Sequence, residues 1–441
     1  MTRARGGAWA GLLLAVGLVV AAFAVPPLVG WEVYARSTPE GAVPPLHGLW
    51  RPAVGLGTVP ALLIAVLGWR YALDVAERLP WRRLLLVSYV VGLAWMLALA
   101  YVDGSSGISR SLGNPYEYLE TARQVTDIPA MLREFVDRIP YAAGPDNWVV
   151  HVAGHPAGAL LFFVVLDRLG LGSDYAAGMV VTVIAASTVV AVLQAVRALG
   201  AEPVARRAAP FLVLGPAAIF AAVSADALFA AVAAWGLAAL ATAATRPSRG
   251  AAVAWSVVAG LLLGCCVLLS YGLPLLGFLA LAVLVVARSW LPLPVAAGAA
   301  VVPVAVFAAA GFVWWEAYPV LHDRYWDGIA ADRPAAYWMW GNLAALVVSA
   351  GPLLGAGLGR LAELRGHADR VVVWLVAGSA AAMVAADLSR MSKGEVERIW
   401  LPFLPWLLLS MAVLPERWRR SGLALQLVSA LVVQHLLYTS W

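Results

Sequence analysis

The sequence predicts an all-α polytopic membrane protein: about 13 transmembrane helices and a long outer loop with amphipathic juxtamembrane helices. Three observations lead there. Of 441 residues, 62% are hydrophobic and 12% charged, where soluble domains carry about 25% charge. Mean hydropathy is +0.83. Apolar runs of span length recur along the chain, separated by clusters of arginine. So little charge cannot cover a water-soluble core of this size. The same figures exclude a disordered chain, a disulfide scaffold and a nucleic-acid-binding domain. The net charge of +5 comes from arginines placed between spans and implies no nucleic-acid partner.

A bilayer core takes about 20 apolar residues per helix. Candidate runs lie at 8–29, 52–74, 84–102, 175–196, 208–223, 225–244, 250–270, 272–288, 292–314, 342–358, 371–387, 399–414 and 421–438. The first is long for a signal-peptide core and lacks a convincing cleavage site, so it reads as a retained span. Basic residues mark cytoplasmic loops. Here they are Arg3 and Arg5, then Arg78, Arg82 and Arg83, then Arg197, Arg206 and Arg207. Arg246 and Arg249, Arg288, the set Arg360, Arg365 and Arg370, and Arg417, Arg419 and Arg420 complete the series. This parity puts the N-terminus in the cytoplasm, the C-terminus outside, and the protein in the plasma membrane as a multi-pass chain. Span 84–102 leads out and span 175–196 leads back, so the run 156–169 between them cannot cross. Its length suits a re-entrant or interfacial helix. Adjacent Cys265 and Cys266 cannot easily meet disulfide geometry and read as packing residues. The chain is thus one transmembrane domain over 1–441, with outer segments 103–173, 315–342 and 387–398. It ends at Trp441, just after a span, with no soluble domain following.

The acids collect on the outer side. Segment 103–150 holds seven acidic residues against four arginines, segment 315–342 four against two, and segment 387–398 three more acids. Loops that only connect helices are short, and one of nearly fifty residues is more often working. Asp103 stands at a span end, partly desolvated, where a raised pKa and fixed position suit a general base. Glu117 and Glu120 fall three apart on one helical face, either solvated there or serving the site. Residues 127–139 form an amphipathic helix, with Ile128, Met131, Leu132, Phe135, Val136 and Ile139 on its apolar side. Asp127 can cap it and Pro129 suits its first turn, and it should lie on the outer membrane surface.

His151 and His155 are four apart, but Gly154 and Pro156 interrupt a continuous helix and no local carboxylate completes a metal triad. A hydrogen-bonding role at the mouth of a site fits them better than metal ligation, with structural packing as the alternative. Asp226 sits where one helix emerges and the next re-enters, either capping that helix or serving the site. Residues 387–402 form the densest ionic patch outside the long loop. Lys393, the sole lysine of the chain, stands beside Glu395, Glu397 and Arg398. Arg398 can bind a phosphate bidentately and Lys393 can add a point charge. Segment 315–342 carries Trp315, Tyr318, Tyr325, Trp326, Tyr337, Trp338 and Trp340. Aromatics at this depth form an interfacial belt, or stack on sugars, or line a groove for a prenyl chain.

In order and sidedness these features resemble the GT-C superfamily of integral membrane glycosyltransferases, over roughly residues 84–410. The features are a long outer loop opened by an acid, then Gly154-His155-Pro156-Ala157-Gly158, then Asp226-Ala-Leu-Phe, then Glu395-x-x-Arg398-Ile-Trp-Leu-Pro402. The alanine- and arginine-rich, lysine-poor composition is similar to that of actinobacterial members. The resemblance implies a polyprenyl-phosphate sugar donor, a glycan, lipid or protein acceptor, and transfer with inversion at the outer face among membrane lipids. It implies that Asp103 deprotonates the acceptor and that Arg398, with Lys393, stabilises the leaving phosphate. His155 and Asp226 would position substrate, with His151, Glu117, Glu120, Glu395, Glu397, Tyr325 and Trp326 around them. No cofactor is called for; no Asp-x-Asp element appears, and a divalent metal stays open. On this reading Asp103, His155, Asp226 and Arg398 surround one outward-facing cavity. Two readings compete: a transporter or flippase of lipid-linked intermediates, and a non-catalytic subunit of an envelope synthase.

Overall fold

In hydrocarbon a backbone must satisfy its own hydrogen bonds, so long apolar runs become helices. The computed structural model describes residues 6–36, 41–364 and 366–439. Arg3, Arg5, Arg365 and Trp441, used above for topology, lie outside the described residues. Helix α1 (Gly7–Val29) is followed by a short strand, β1 (Gly48–Trp50), and then by α2 (Thr58–Arg78) and α3 (Trp81–Ala100). The long loop folds into α4 (Ser106–Ser109), α5 (Tyr118–Gln124), α6 (Ile128–Glu134) and α7 (Val150–Ala153), and leads into α8 (Ala157–Arg168). Next come α9 (Asp174–Ala198), α10 (Glu202–Val213), α11 (Ala217–Ala221), α12 (Ala225–Thr245) and α13 (Arg249–Leu269). Then follow α14 (Leu276–Ala287), α15 (Pro292–Ala309), α16 (Trp314–Trp326), α17 (Ala335–Ala350) and α18 (Leu353–Leu364). Finally there are α19 (Arg370–Leu388), α20 (Val396–Ile399), α21 (Leu404–Leu408), α22 (Glu416–Leu436) and β2 (Leu437–Thr439).

Among the described residues eight helices are long and apolar enough to cross a membrane: α1, α2, α3, α9, α12, α13, α15 and α19. The pair α17 and α18, bent by 104°, makes a ninth if it is one broken span. The other four expected runs take different forms. Run 208–223 breaks at Gly215-Pro216 between α10 and α11. Runs 272–288 and 399–414 give shorter apolar helices. Run 421–438 lies within α22, whose first turn is charged.

Two of these four nevertheless follow the bundle from end to end. Arg419 on α22 pairs with Glu77 at 2.9 Å, while His435, near its other end, meets Thr58 Oγ1 at 3.1 Å. Glu77 and Thr58 lie at opposite ends of α2, so α22 runs antiparallel along its whole length. Arg206 on α10 donates to the carbonyls of Ala76 and Leu79 at one end of the bundle. Asp226, just after α11, lies at the other end, the one that carries the long loop. Helix α8, of 12 residues, is not among the helices long enough to cross. Its start packs on Leu268 near the end of α13, and its end is tied by Arg168 to Thr126 of the long loop. The described arginine clusters gather at the end opposite the loop.

Helix α6 forms as expected: Asp127 accepts from the Ala130 amide at 3.1 Å and Pro129 lies in the first turn. It ends sooner than the apolar pattern does. Its buried face closes on protein, with Phe135 packed on Trp148 and Phe312, instead of resting on lipid. Arg324 of α16 fastens the region by donating to the carbonyls of Ile139 and Trp148.

Helices α1 and α18 pack through facing glycines, Gly7 and Gly11 on one and Gly355 and Gly359 on the other. A Cβ on Gly11 would lie 1.9 Å from the Gly355 carbonyl oxygen, so only glycine permits this approach. Gly11→Leu is therefore expected to force the helices apart and cost about 1–3 kcal/mol, as overpacking does. Thermal unfolding in detergent measures it; a midpoint equal to that of wild type contradicts the packing.

Candidate functional site

Helix α19 stops at Leu388, just before Arg390 takes a left-handed φ of 58°, and Gly394 and Glu395 turn the chain again with φ values of 88° and 62°. The turn starts α20 and swings Arg398 inward, where it is 5% exposed. Ser224 caps α12 by accepting from the Ala227 amide at 3.3 Å, which fixes Asp226 in the first turn. The two meet: Arg398 Nη1 donates to Asp226 Oδ2 at 2.6 Å. Arg398 Nη2 donates to Glu395 Oε2 at 2.9 Å and to His151 Nδ1 at 3.1 Å. Because His151 Nδ1 accepts, its proton belongs on Nε2, which faces Glu117 Oε1 at 3.6 Å. His155 Nδ1 donates to the His151 carbonyl at 2.8 Å, and its ring sits between Tyr118 and Phe229. Four stretches far apart in sequence thus converge at the loop end of the bundle.

Burial sets the electrostatics. It pushes Glu117 up to about 8, with Arg398 opposing and Asp226 and Glu395 reinforcing. Burial also raises Glu397 to about 7 and lowers His47 to about 4. It lowers His151 and His155 as well, so these imidazoles are neutral at pH 7. Burial works against the charge of Glu395, yet Arg398, His47 and Arg333 outweigh it and hold that carboxyl below its usual range. The same burial opposes the charge of Arg398, which Asp226, Glu395 and Glu117 restore and strengthen. Three buried oxygens here lack a hydrogen-bond partner: Glu117 Oε2, Tyr118 Oη and Glu397 Oε2. Among the described residues no group of three or more His, Cys, Asp or Glu side chains is arranged to hold a metal ion.

Several expected residues take other positions. Asp103 is held by Arg110 at 2.8 Å and accepts from Gln434 Nε2 at 3.3 Å. A two-stranded ribbon links it to the Arg398 cluster. β1 pairs antiparallel with β2, Gly48 opposite Thr439; Arg110 donates to the Thr439 carbonyl, and the His47 amide donates to Glu397 Oε1 at 3.1 Å. Glu120 is exposed while Glu117 is buried, so the two do not share an environment. Lys393 is no point charge waiting for phosphate. Its Nζ donates to the Ala330 and Arg333 carbonyls at 2.9 and 3.0 Å and lies 4.3 Å from the centroid of the Trp326 ring. Tyr325 Oη accepts from the Lys393 amide at 3.0 Å. Lys393, Tyr325 and Trp326 therefore shape the turn that presents Glu395 and Arg398. Of the aromatic segment, Trp315 is exposed, while Tyr337 and Trp338 are buried and donate to the Ala22 and Val33 carbonyls.

Other residues of the site carried no sequence signal. Arg333 donates to the Lys393 carbonyl and lies 3.5 Å from Glu395 Oε1. Asn342 joins Asp387, the Ser392 carbonyl and the Gly394 amide. A mixed-charge patch hinted at the turn; nothing pointed to its partners on other helices.

Two apolar cavities lie among the helices, one beside this cluster and a larger one toward the opposite end of the bundle. One of about 290 Å³ lies between α2, α3 and α10, lined by Leu67, Tyr71, Val91 and Val213. The other, about 70 Å³, is lined by Met96, Val213, Ala218, Ala227 and Leu401. Val213 borders both, and Ala227 directly follows Asp226. Asp103, His155, Asp226 and Arg398 line neither, so the single basin expected of them is not either of these cavities.

Comparison with known proteins finds no matching family model, no similar curated protein and no similar solved structure.

Proposed function

We propose that the chain is a membrane glycosyltransferase of the GT-C kind. It moves a sugar from a polyprenyl-phosphate donor to a hydroxyl of an envelope glycan, lipid or protein, with inversion, at the extracytoplasmic face. The observation that carries the reading is the buried array Glu117–His151–Arg398–Asp226, built from four distant segments beside a small apolar cavity. The loop end faces outward, since the arginine clusters lie at the other, and the thirteen apolar runs are thirteen passages.

The geometry favours Glu117 over Asp103 as the base. Glu117 has a buried oxygen without a partner and a proton affinity near working pH, whereas Asp103 is neutralised by Arg110. The acceptor's O–H proton passes to Glu117 Oε2 as its oxygen bonds to the anomeric carbon. The bond from that carbon to the phosphate oxygen breaks, and the electron pair leaves with the lipid phosphate. Arg398 stabilises the departing charge. The phosphate competes for the guanidinium with Glu395, whose side chain is 22% exposed, more readily than with Asp226 at 4%. The cavity lined by Ala227 and Leu401 suits the first carbons of an apolar chain.

Protein in vesicles, given a radiolabelled polyprenyl-phosphate sugar and membrane extract as acceptor, should transfer label out of the lipid fraction. Movement of labelled lipid between leaflets without transfer contradicts the enzyme and favours a flippase.

A further inference from the structure

The orphaned oxygens carry a statement about the acceptor. Buried polar atoms in folded proteins are almost always paired, and each exception calls for a reason. Glu117 Oε2 and Tyr118 Oη are two such exceptions on consecutive residues. Glu117 faces His151, and Tyr118 meets His155 with its ring edge at 5.7 Å while stacking on Phe163 at 4.9 Å. His151 and His155 are joined by a hydrogen bond, so both residues address one short segment. The charges of Asp226 and Arg398 act on both groups. Both orphans therefore belong to one neighbourhood.

We propose that Glu117 Oε2 and Tyr118 Oη are kept for a single oxygen of the substrate, and that this restricts the acceptor to alcohols and excludes amines. The inference rests on the glycosyl-transfer reading and narrows it. A hydroxyl has a proton to give Glu117 and lone pairs to accept the Tyr118 proton. A neutral amine has a single lone pair, which goes into the bond to the anomeric carbon, and an ammonium has none. Either leaves Tyr118 unsatisfied among Phe163 and its neighbours, while a hydroxyl oxygen keeps a second pair for it. Tyr118 is a positioning residue: it aims the oxygen whose proton Glu117 takes.

The test is Tyr118→Phe, which keeps the ring contacts and removes only the hydroxyl. Full-length protein in vesicles is given the labelled donor with octyl β-D-glucopyranoside as alcohol or octylamine as amine. The variant should melt at or above the wild-type midpoint, because no internal hydrogen bond is lost. It should lose roughly tenfold in kcat/KM for the glucoside, about the value of one hydrogen bond, and wild type should not use octylamine. A lower midpoint makes the hydroxyl structural and overturns the proposal. So does unchanged transfer by the variant, or equal use of the amine by wild type. Should wild type transfer to neither probe, the glycosyl-transfer reading fails by itself. The midpoint then still decides Tyr118: lowered, the hydroxyl is structural; unchanged or raised, it is held for a ligand.

Discussion

Sugar transfer by the wild-type protein is expected to rise with pH and level off above about 8, and Glu117→Gln to lose about 10²–10⁴-fold, the usual worth of a general base. The cause is burial, which raises Glu117 to about 8. Below that value the carboxyl is mostly protonated and cannot accept the acceptor's proton. The groups facing it are His151, neutral throughout this range, and the charged set Arg398, Asp226 and Glu395. Stability runs the other way. A carboxyl whose folded pKa is raised binds a proton that the unfolded chain has lost. Its stabilising contribution is full below about 4.5 and disappears as pH rises through about 8. Glu117→Gln should therefore flatten both profiles. Initial rates and unfolding midpoints across pH 5–9 check this; a rate that falls with pH contradicts a base of this kind.

Asp226→Ala is expected to destabilise the fold by about 3–5 kcal/mol, the usual cost of breaking a buried ion pair. The pair is short, 2.6 Å, and both side chains are almost wholly buried. Removing the carboxylate takes from the buried guanidinium of Arg398 its shortest ion pair. Adding Arg398→Met to Asp226→Ala should recover much of the loss, because the uncompensated charge goes with it, while activity stays absent. Thermal unfolding of the two variants measures the difference. If Asp226→Ala melts with wild type, the ion pair is not the pin of the site.

Much of this architecture is legible in local pattern. Eight of the expected runs are helices of crossing length, since apolar composition over about 20 residues leaves a chain in a bilayer little else to do. The run 208–223 is less regular, because Gly215 and Pro216 break it into α10 and α11, and the flanking Arg206 and Asp226 bind at opposite ends of the bundle. At the site, His151, Asp226, Glu395 and Arg398 stood out as polar residues at the edges of apolar runs, and the structure brings them together. Lys393 looked like a ligand for phosphate because its partners are main-chain carbonyls at 330 and 333, which leave no mark in sequence. Asp103 looked like a base because Arg110 lies just seven residues on, in a turn whose folding local spacing does not disclose. Glu117 looked like half of a solvated pair with Glu120. Its burial sets it beside His151 of α7 and within reach of the charges of Asp226 and Arg398, and such neighbours belong to tertiary structure alone.

The most direct test is a side-by-side single-turnover measurement on Glu117→Gln and Asp103→Asn, in the same vesicles with the same labelled donor. The account predicts that the first loses about 10²–10⁴-fold while the second keeps transfer within about tenfold, as expected of a residue that shapes the site without taking the proton. The opposite order, with Asp103→Asn inactive and Glu117→Gln near wild type, contradicts it.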